Sequence, residues 1–367
     1  MSVSIKIKEK TPLLKGMGIS KGHSLMDWIG SLGAEDIGID IGTSNVVFYS
    51  KHKGIVFPEA AVVARNKVTG AYLAYGTKAE EMEGKTPPEI EIIRPIDRSA
   101  VVDYNGIAYL LNSVVNQSYF RGVFFHPRLM MCVPAGINNV QRRALLEAAV
   151  SIGARKTVLI DQPLAALMGM EDRLNHREGT MIVDIGGGST KISVSSPHGI
   201  VLSHLSVESG NEMDTAIMKT IRDKYHVKIG RKAAESVKIA LGIEWDTEKV
   251  PKVAEVFGIS LISGLPVKIA VTGEDIAQSV NPILYRILKN ISNVLERTPP
   301  VLLSEVKRNG IILIGGGARM KGIDSLISKL IGIEAKAADR ASYVNVVGAG
   351  AALEYIDSFR DSLQDLH

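Results

Sequence analysis

The chain has 367 residues, 46% of them hydrophobic and 22% charged, a balance that indicates compact globular structure in two domains and excludes a disordered chain. Its net charge of +4 is slight, and no basic stripe interleaved with aromatics occurs, so nucleic acid is not an expected partner. The single cysteine, Cys132 in the apolar run Leu129 to Val133, excludes an internal disulfide and a cysteine-based metal site, and reads as a core residue in a reducing compartment.

Residues 1–36 lack the continuous apolar stretch and small-residue cleavage site of a signal peptide, and nowhere does a run approach the ~20 apolar residues needed to span a bilayer. This leader carries Lys6, Lys8, Lys10, Lys15 and Lys21 against Glu9. Ser24 then precedes Leu25, Trp28, Ile29 and Leu32 at i, i+3, i+4, i+7 spacing. A short amphipathic helix beside a basic segment suits an anionic membrane surface; a solvated arm, or a helix packed on the body, is the alternative.

The pattern then predicts a strand at Ile37 to Ile41, a glycine-bearing turn, and a strand at Val46 to Tyr49. A β-rich stretch follows at Ile55 to Ala64 and Tyr72 to Tyr75, then an acidic helical stretch at Lys78 to Met82 and a turn at Pro87-Pro88, so residues 66–102 read as a small insertion. Helical periodicity occupies Ile107 to Val115. Adjacent phenylalanines, Phe124 and Phe125, fall in a loop where burial is difficult, so they are either an exposed apolar pair or covered by their own domain. Strand Leu129 to Val133 leads to helices at Asn139 to Ser151 and Pro163 to Met170, and the polar stretch Asn175 to Gly179 is the expected interdomain crossing.

The second half repeats the plan. Met181 to Ile185 and Lys191 to Val194 flank another glycine turn, followed by a helix at Met213 to Tyr225, an inserted segment, a helix at Ile276 to Leu295, Pro299-Pro300, strand Gly310 to Ile314 and a helix at Ile323 to Leu330.

Two aspartate-led turns therefore stand in corresponding places: Asp40-Ile41-Gly42-Thr43-Ser44-Asn45 and Asp184-Ile185-Gly186-Gly187-Gly188-Ser189-Thr190. A dinucleotide fold or P-loop runs from strand through glycines into a helix. Here each turn joins two strands, and G-x-x-x-x-G-K-[ST] is missing from the chain. Glycine at a hairpin tip lets backbone N–H groups approach a phosphate, Ser and Thr add donors, and the neighbouring Asp can hold a hydrated Mg²⁺. One such hairpin is a weak signal; two in register suggest a phosphate clamp. A third tip, Gly315-Gly316-Gly317, lies between strand and helix and suits a nucleotide's sugar and α-phosphate.

From Asp36 to about Tyr355 the chain resembles the MreB family of bacterial actin homologues, within the actin, Hsp70 and sugar-kinase ATPase superfamily. The stretches that carry the resemblance are Ile37 to Asn45, Lys85-Thr-Pro87, Ile93-Arg-Pro95, Cys132-Val-Pro134, Met181 to Gly188, Asn211-Glu-Met-Asp214, Ser263-Gly-Leu-Pro266, Leu295-Glu-Arg-Thr-Pro-Pro300 and Ile314 to Gly317. The glycine tips are superfamily features; Glu-Arg-Thr-Pro-Pro and Glu-Met-Asp point to MreB itself.

The resemblance implies an α/β actin-like ATPase fold of two duplicated lobes, with four subdomains around ATP and Mg²⁺. The expected division is a basic arm at 1–35; subdomain IA at 36–65 and 103–174, with 341–367 returning to it; IB at 66–102; IIA at 175–212 and 276–340; and IIB at 213–275. Asp40 and Asp184 then lie near the metal, directly or through water. Gly42, Thr43, Ser44 and Asn45, with Gly186, Gly187, Gly188 and Ser189, hold phosphates, and the family's adenosine-contacting Glu and Lys fall on Glu235 and Lys238. Read from the residues alone, that last pair is a solvated i, i+3 ion pair on a helix.

Where the family has Glu-Glu-Pro this chain has Asp161-Gln162-Pro163, and the threonine after the glycines is Ser189. Gln cannot act as a base at neutral pH, but its amide can position an attacking water, so Gln162 and Ser189 predict slow ATP hydrolysis coupled to polymerisation. Asp161 is the alternative acid, although adjacent strand residues point to opposite faces. The family also places a membrane-inserting apolar pair where Phe124 and Phe125 stand. Its expected partners are further copies of itself in paired protofilaments, anionic lipids of the inner membrane, and membrane proteins of cell shape and wall synthesis. A non-hydrolysing scaffold and a small-molecule kinase of the same superfamily are the rival readings.

Overall fold

The computed structural model describes residues 36–50, 53–115, 127–134, 137–170, 179–243 and 253–358. The arm with Leu25, Trp28 and Ile29, and the pair Phe124 and Phe125, lie outside the described residues. Two compact units emerge. The first holds residues 36–170 and 343–358 with the turn 197–199, and the second holds 179–196 and 200–342.

In the first unit, β1 (Ile37–Ile41), β2 (Asn45–Ser50) and β3 (Gly54–Ala60) form an antiparallel meander. A small three-stranded sheet follows from β4 (Val63–Asn66), β5 (Tyr72–Tyr75) and, after helix α1 (Gly76–Glu81), β6 (Ile90–Ile93). The two-residue strands β7 (Ile96–Asp97) and β8 (Ala100–Val101) make a hairpin ahead of helix α2 (Tyr104–Val115). Strand β9 (Arg128–Val133), helix α3 (Asn139–Ser151), strand β10 (Lys156–Asp161) and helix α4 (Gln162–Gly169) complete the unit up to its C-terminal helix. β9 runs parallel to both β1 and β10, giving the sheet order β10-β9-β1-β2-β3.

One face of this sheet presents Ile37, Ile39, Phe48, Leu129 and Met131 to Ile107, Leu110, Leu111 and Val114 of α2 and to Leu145, Leu146 and Ala149 of α3. Each such fully buried side chain is worth about 1.5–3 kcal/mol. The α2 residues recur at helical spacing, which places them on one stripe. α3 is held at its start by a capping box in which Asn138 and Gln141 exchange side-chain-to-backbone bonds.

Small residues let helices pack closely on the opposite face. A Cβ at Gly38 would sit 3.0 Å from the backbone nitrogen of Gly350, and Cβ atoms at Gly348 and Gly169 would strike the carbonyls of Ala165 and Val344. The later helix Val344–Ala352 thus lies backbone-close on β1 and α4 because its Gly-Ala-Gly-Ala-Ala stretch has no bulk to keep it away. Cys132 is fully buried there, with its thiol 3.4 Å from the carbonyl of Asn345.

The second unit repeats the topology. β11 (Thr180–Ile185), β12 (Thr190–Ser196) and β13 (Gly199–Ser206) stand in the places of β1 to β3. Helix α5 (Gly210–Tyr225) leads into an inserted segment made of β14 (Val227–Lys228), α6 (Arg231–Leu241), β15 (Val253–Ser260) and β16 (Pro266–Thr272). The long helix α7 (Gly273–Arg297), α8 (Pro300–Asn309), β17 (Ile311–Ile314), α9 (Ile323–Ile331) and β18 (Ala335–Ala337) follow, and α10 (Val344–Ala352) returns to the first unit. The sheet order is β13-β12-β11-β17-β18, with β17 parallel to β11 and to β18. Ile276, Val280, Ile283, Ile287 and Ile291 make one stripe of α7 and pack with Val183, Ile192, Met213 and Ile217.

Both sheets therefore read meander first, then two parallel strands added on the far side of the first strand. That shared order is the duplicated α/β actin-like fold.

Candidate functional site

Each aspartate-led turn closes in the same way. In the first unit the Gly42 N–H donates to the carbonyl of Asn45 at 3.0 Å; in the second the Gly186 N–H donates to the carbonyl of Ser189 at 2.9 Å. The strand registers end on Ile41 opposite Val46 and Ile185 opposite Thr190, so both tips project from the same end of their sheets. A Cβ at Gly42 would lie 2.8 Å from the Asn45 carbonyl and one at Gly186 would lie 3.0 Å from the Ser189 carbonyl, which is why glycine stands at both.

The first tip gathers Asp40, Gly42 to Asn45 and Gln162. Thr43 is buried, Ser44 half-buried and Asn45 exposed. Gln162 opens α4 instead of ending β10, with Pro163 at the second helical position, where its missing N–H costs nothing. The side chains of Asp161 and Gln162 diverge at this strand-to-helix junction, not along a strand as the sequence suggests: Asp161 is exposed and Gln162 is 3% exposed.

Gln162 Nε2 donates to Asp40 Oδ1 at 2.9 Å. A carboxylate only accepts, so the amide must present its NH₂ to Asp40 and its oxygen away from it. That oxygen, Oε1, is buried and has no hydrogen-bond partner among the described residues. A buried amide oxygen of this kind accepts a hydrogen bond from water or a ligand hydroxyl and donates none.

The sequence reading missed a further contact. Arg98 and Ser99, the two central residues of the β7–β8 turn, both have left-handed backbones, with φ of 45° and 66°. The Ser99 N–H reaches Thr43 Oγ1 at 3.4 Å. Two non-glycine residues in a turn that favours Asn-Gly store strain, of order 1–3 kcal/mol each, against the first tip.

The second unit brings together Asp184, Gly186 to Ser189, Gly315 to Gly317 and Lys238. Asp184 is 6% exposed, and Lys191 Nζ lies 3.5 Å from its Oδ2. The β11–β12 register sets Lys191 directly opposite Asp184, a signal the hairpin spacing already contained. Gly315, with φ of 82°, packs against Asp184 Oδ1, and Gly317 packs against Ile185; a Cβ at either would overlap those atoms, whereas Gly316 has open space around it. The third tip is thus laid directly on the second. It does not run straight into a helix, because a 3₁₀ turn at Gly316–Arg319 intervenes and α9 begins only at Ile323.

Lys238 departs from the solvated ion pair that its spacing from Glu235 suggests. Glu235 is exposed, while Lys238 is 5% exposed, with Nζ 2.7 Å from Asp214 Oδ1 on α5 and 3.1 Å from the carbonyl of Gly210. Burial pushes the Asp214 carboxyl above the usual aspartate range, and the Lys238 ammonium opposes that shift.

Among the described residues no group of three or more His, Cys, Asp or Glu could cage a metal ion. The donor set instead fits a hydrated Mg²⁺ carried by phosphates, which needs one or two carboxylates beside it, and each unit places an aspartate, Asp40 or Asp184, two residues before its tip. Within the first unit the tip and the buried Oε1 of Gln162 suit a phosphate and an ordered water, and within the second unit the tip and the open space at Gly316 suit a phosphate-bearing ligand.

A duplicated α/β fold with an aspartate-led glycine hairpin in each half defines an actin-like protein. The cell shape-determining protein Mbl of Bacillus cereus is 36% identical over 324 residues, 88% of this chain and 97% of that one. Two crystal structures of MreB5 of Spiroplasma citri share the fold. The one bound to ADP is 29% identical with a TM-score of 0.78 over 86% of this chain and 94% of the other. The one bound to AMPPNP is 28% identical with a TM-score of 0.77 over 90% and 97%. The family model described as MreB/Mbl protein matches residues 34–361, and the chain belongs to that family.

Proposed function

We propose that this chain is a cytoskeletal nucleotide switch: it binds ATP with Mg²⁺, polymerises in the ATP state, and determines cell shape by organising wall synthesis along the inner membrane. The observation that carries the reading is the identical N–H to carbonyl closure of the two tips, at 3.0 and 2.9 Å, on sheets of the same strand order. Duplicated phosphate-handling turns are what a protein needs if one triphosphate is to be gripped by both halves. Family membership and the nucleotide-bound MreB5 structures support the ligand class.

In this reading Gly42 to Asn45 and Gly186 to Ser189 donate to phosphate oxygens, and Asp40 and Asp184 orient the hydrated Mg²⁺, which supplies charge neutralisation. Glu235 and Lys238 serve the nucleoside end, with Gly315 to Gly317. Gln162 is held by Asp40 so that its Oε1 accepts from a water, while Ser189 keeps the hydroxyl of the family's threonine. Positioning without a base gives slow hydrolysis. Filaments attach to anionic lipid through Phe124 and Phe125 and the Leu25, Trp28, Ile29 arm, each subunit adding one weak contact to a shared rigid body. Among the described residues no helix is long and apolar enough to cross a membrane.

Sedimentation with ATP, ADP or no nucleotide, run beside phosphate release, tests the reading. Polymer formed with ATP and slow release is the expected result. Polymer without release identifies a non-hydrolysing scaffold instead, and a protein that neither binds ATP nor pellets with it refutes the proposal.

A further inference from the structure

We propose that Asp214 is a positioning residue for phosphate binding: through Lys238 it locks the first turn of α5, and α5 in turn aims the amide donors of the Gly186–Gly188 tip. The inference rests on the nucleotide reading above and deepens it.

The chain of contacts is continuous. Gly210 and Asn211, the first two residues of α5, donate their N–H groups to the carbonyls of Gly186 and Gly187 at 3.0 and 2.9 Å. In a trans peptide the carbonyl and the following N–H point in opposite directions. Fixing the Gly186 and Gly187 carbonyls on α5 therefore turns the N–H groups of Gly187 and Gly188 to the other side of the tip, as paired anion donors.

Something must hold the α5 turn there, and Asp214 stands one helical turn beyond Gly210 on the same face. Its Oδ1 takes Lys238 Nζ at 2.7 Å, and the same ammonium donates to the Gly210 carbonyl at 3.1 Å. Both side chains are nearly sealed from solvent, at 4% and 6% exposure, so the pair is neither screened nor free to wander. Ser209 caps the turn by accepting from the Glu212 N–H. Lys238 thus joins the brace by one hydrogen bond, to the Gly210 carbonyl, and by a close ion pair with Asp214.

The test is nucleotide affinity, by equilibrium dialysis of the full chain with Mg²⁺, using ATP and 2′-deoxy-ATP, for wild type, Asp214→Asn, and Asp214→Asn with Lys238→Met. Asp214→Asn leaves a buried unpaired ammonium and loses stability in urea. The double variant removes both charges and regains it. Asp214→Asn is expected to weaken ATP and 2′-deoxy-ATP by the same factor, on the order of tenfold, the loss of about one hydrogen bond's worth of orientation, and the double variant, which also removes Lys238 from the nucleoside end, is expected to weaken both at least as far. Recovery of wild-type affinity in the double variant makes the role purely structural and overturns the proposal. Loss confined to ATP makes the pair a ribose contact and also overturns it, as does unchanged affinity in both variants. Failure of wild type to bind ATP sinks the functional reading instead.

Discussion

Asp275 offers the sharpest quantitative test of how the second unit is held together. It is 2% exposed and sits at the third position of α7, where it completes a capping box with Thr272. Burial alone would push its carboxyl up, but donors from Lys224 at 2.5 Å, Tyr225 at 2.6 Å, and the Thr272 hydroxyl and N–H at 2.8 and 3.1 Å outweigh it. The result is a carboxyl held down from the ordinary 3.8 to about 2. At roughly 1.4 kcal/mol per pH unit, that depression is worth about 2 kcal/mol of stability.

The sign follows from proton counting. Between the two values the unfolded chain binds the proton and the folded chain does not, so the stabilisation is present above pH 3.8 and is lost as pH falls through about 2. Urea unfolding of wild type and Asp275→Asn should differ by about 2 kcal/mol at neutral pH, with about half of the gap gone by pH 3. A gap that stays constant from pH 7 to pH 3, or that is already negligible at neutral pH, would refute this account of the cap.

Gln162→Ala should slow single-turnover ATP hydrolysis by about ten- to a hundredfold while leaving ATP binding within a few-fold, and unchanged turnover would remove Gln162 from the water-positioning role. Gly317→Ala should lower stability by about 1–3 kcal/mol in thermal unfolding because its methyl overlaps Ile185, whereas Gly316→Ala, with open space around it, should stay within about 0.5 kcal/mol. Ser99→Gly should raise stability by up to about 1 kcal/mol by relieving a φ of 66°, and a loss instead would mean that the turn is not strained. Phe124→Ser with Phe125→Ser should abolish co-sedimentation of ATP filaments with anionic liposomes; wild-type pelleting would exclude that loop as an anchor.

The hairpins were legible because glycine and strand chemistry are local. Asp40 and Asp184 stand before their tips by sequence alone, and β1, α3 and the stripe of α7 follow directly from hydrophobic period and caps. Lys191 was readable in principle, since a hairpin closed at Ile185 and Thr190 sets it opposite Asp184. Lys238 was misread as solvated because helix spacing shows which neighbours lie on the same face but not what another helix brings to it. Its partner Asp214 is 24 residues away on α5.

The amino-acid sequence by itself determined the duplicated strand-turn-strand units, their glycines and their acidic leads, because these depend on backbone geometry over a few residues. Only the tertiary structure decided which polar atoms meet: the Gln162 amide on Asp40, Ser99 on Thr43, the Gly315 tip on Asp184, and the buried Lys238–Asp214 pair. Those contacts join segments 24 to 131 positions apart, and no local propensity encodes them. They form because packing each unit's core brings its strand ends together, and nearly all polar groups buried in the process find a partner.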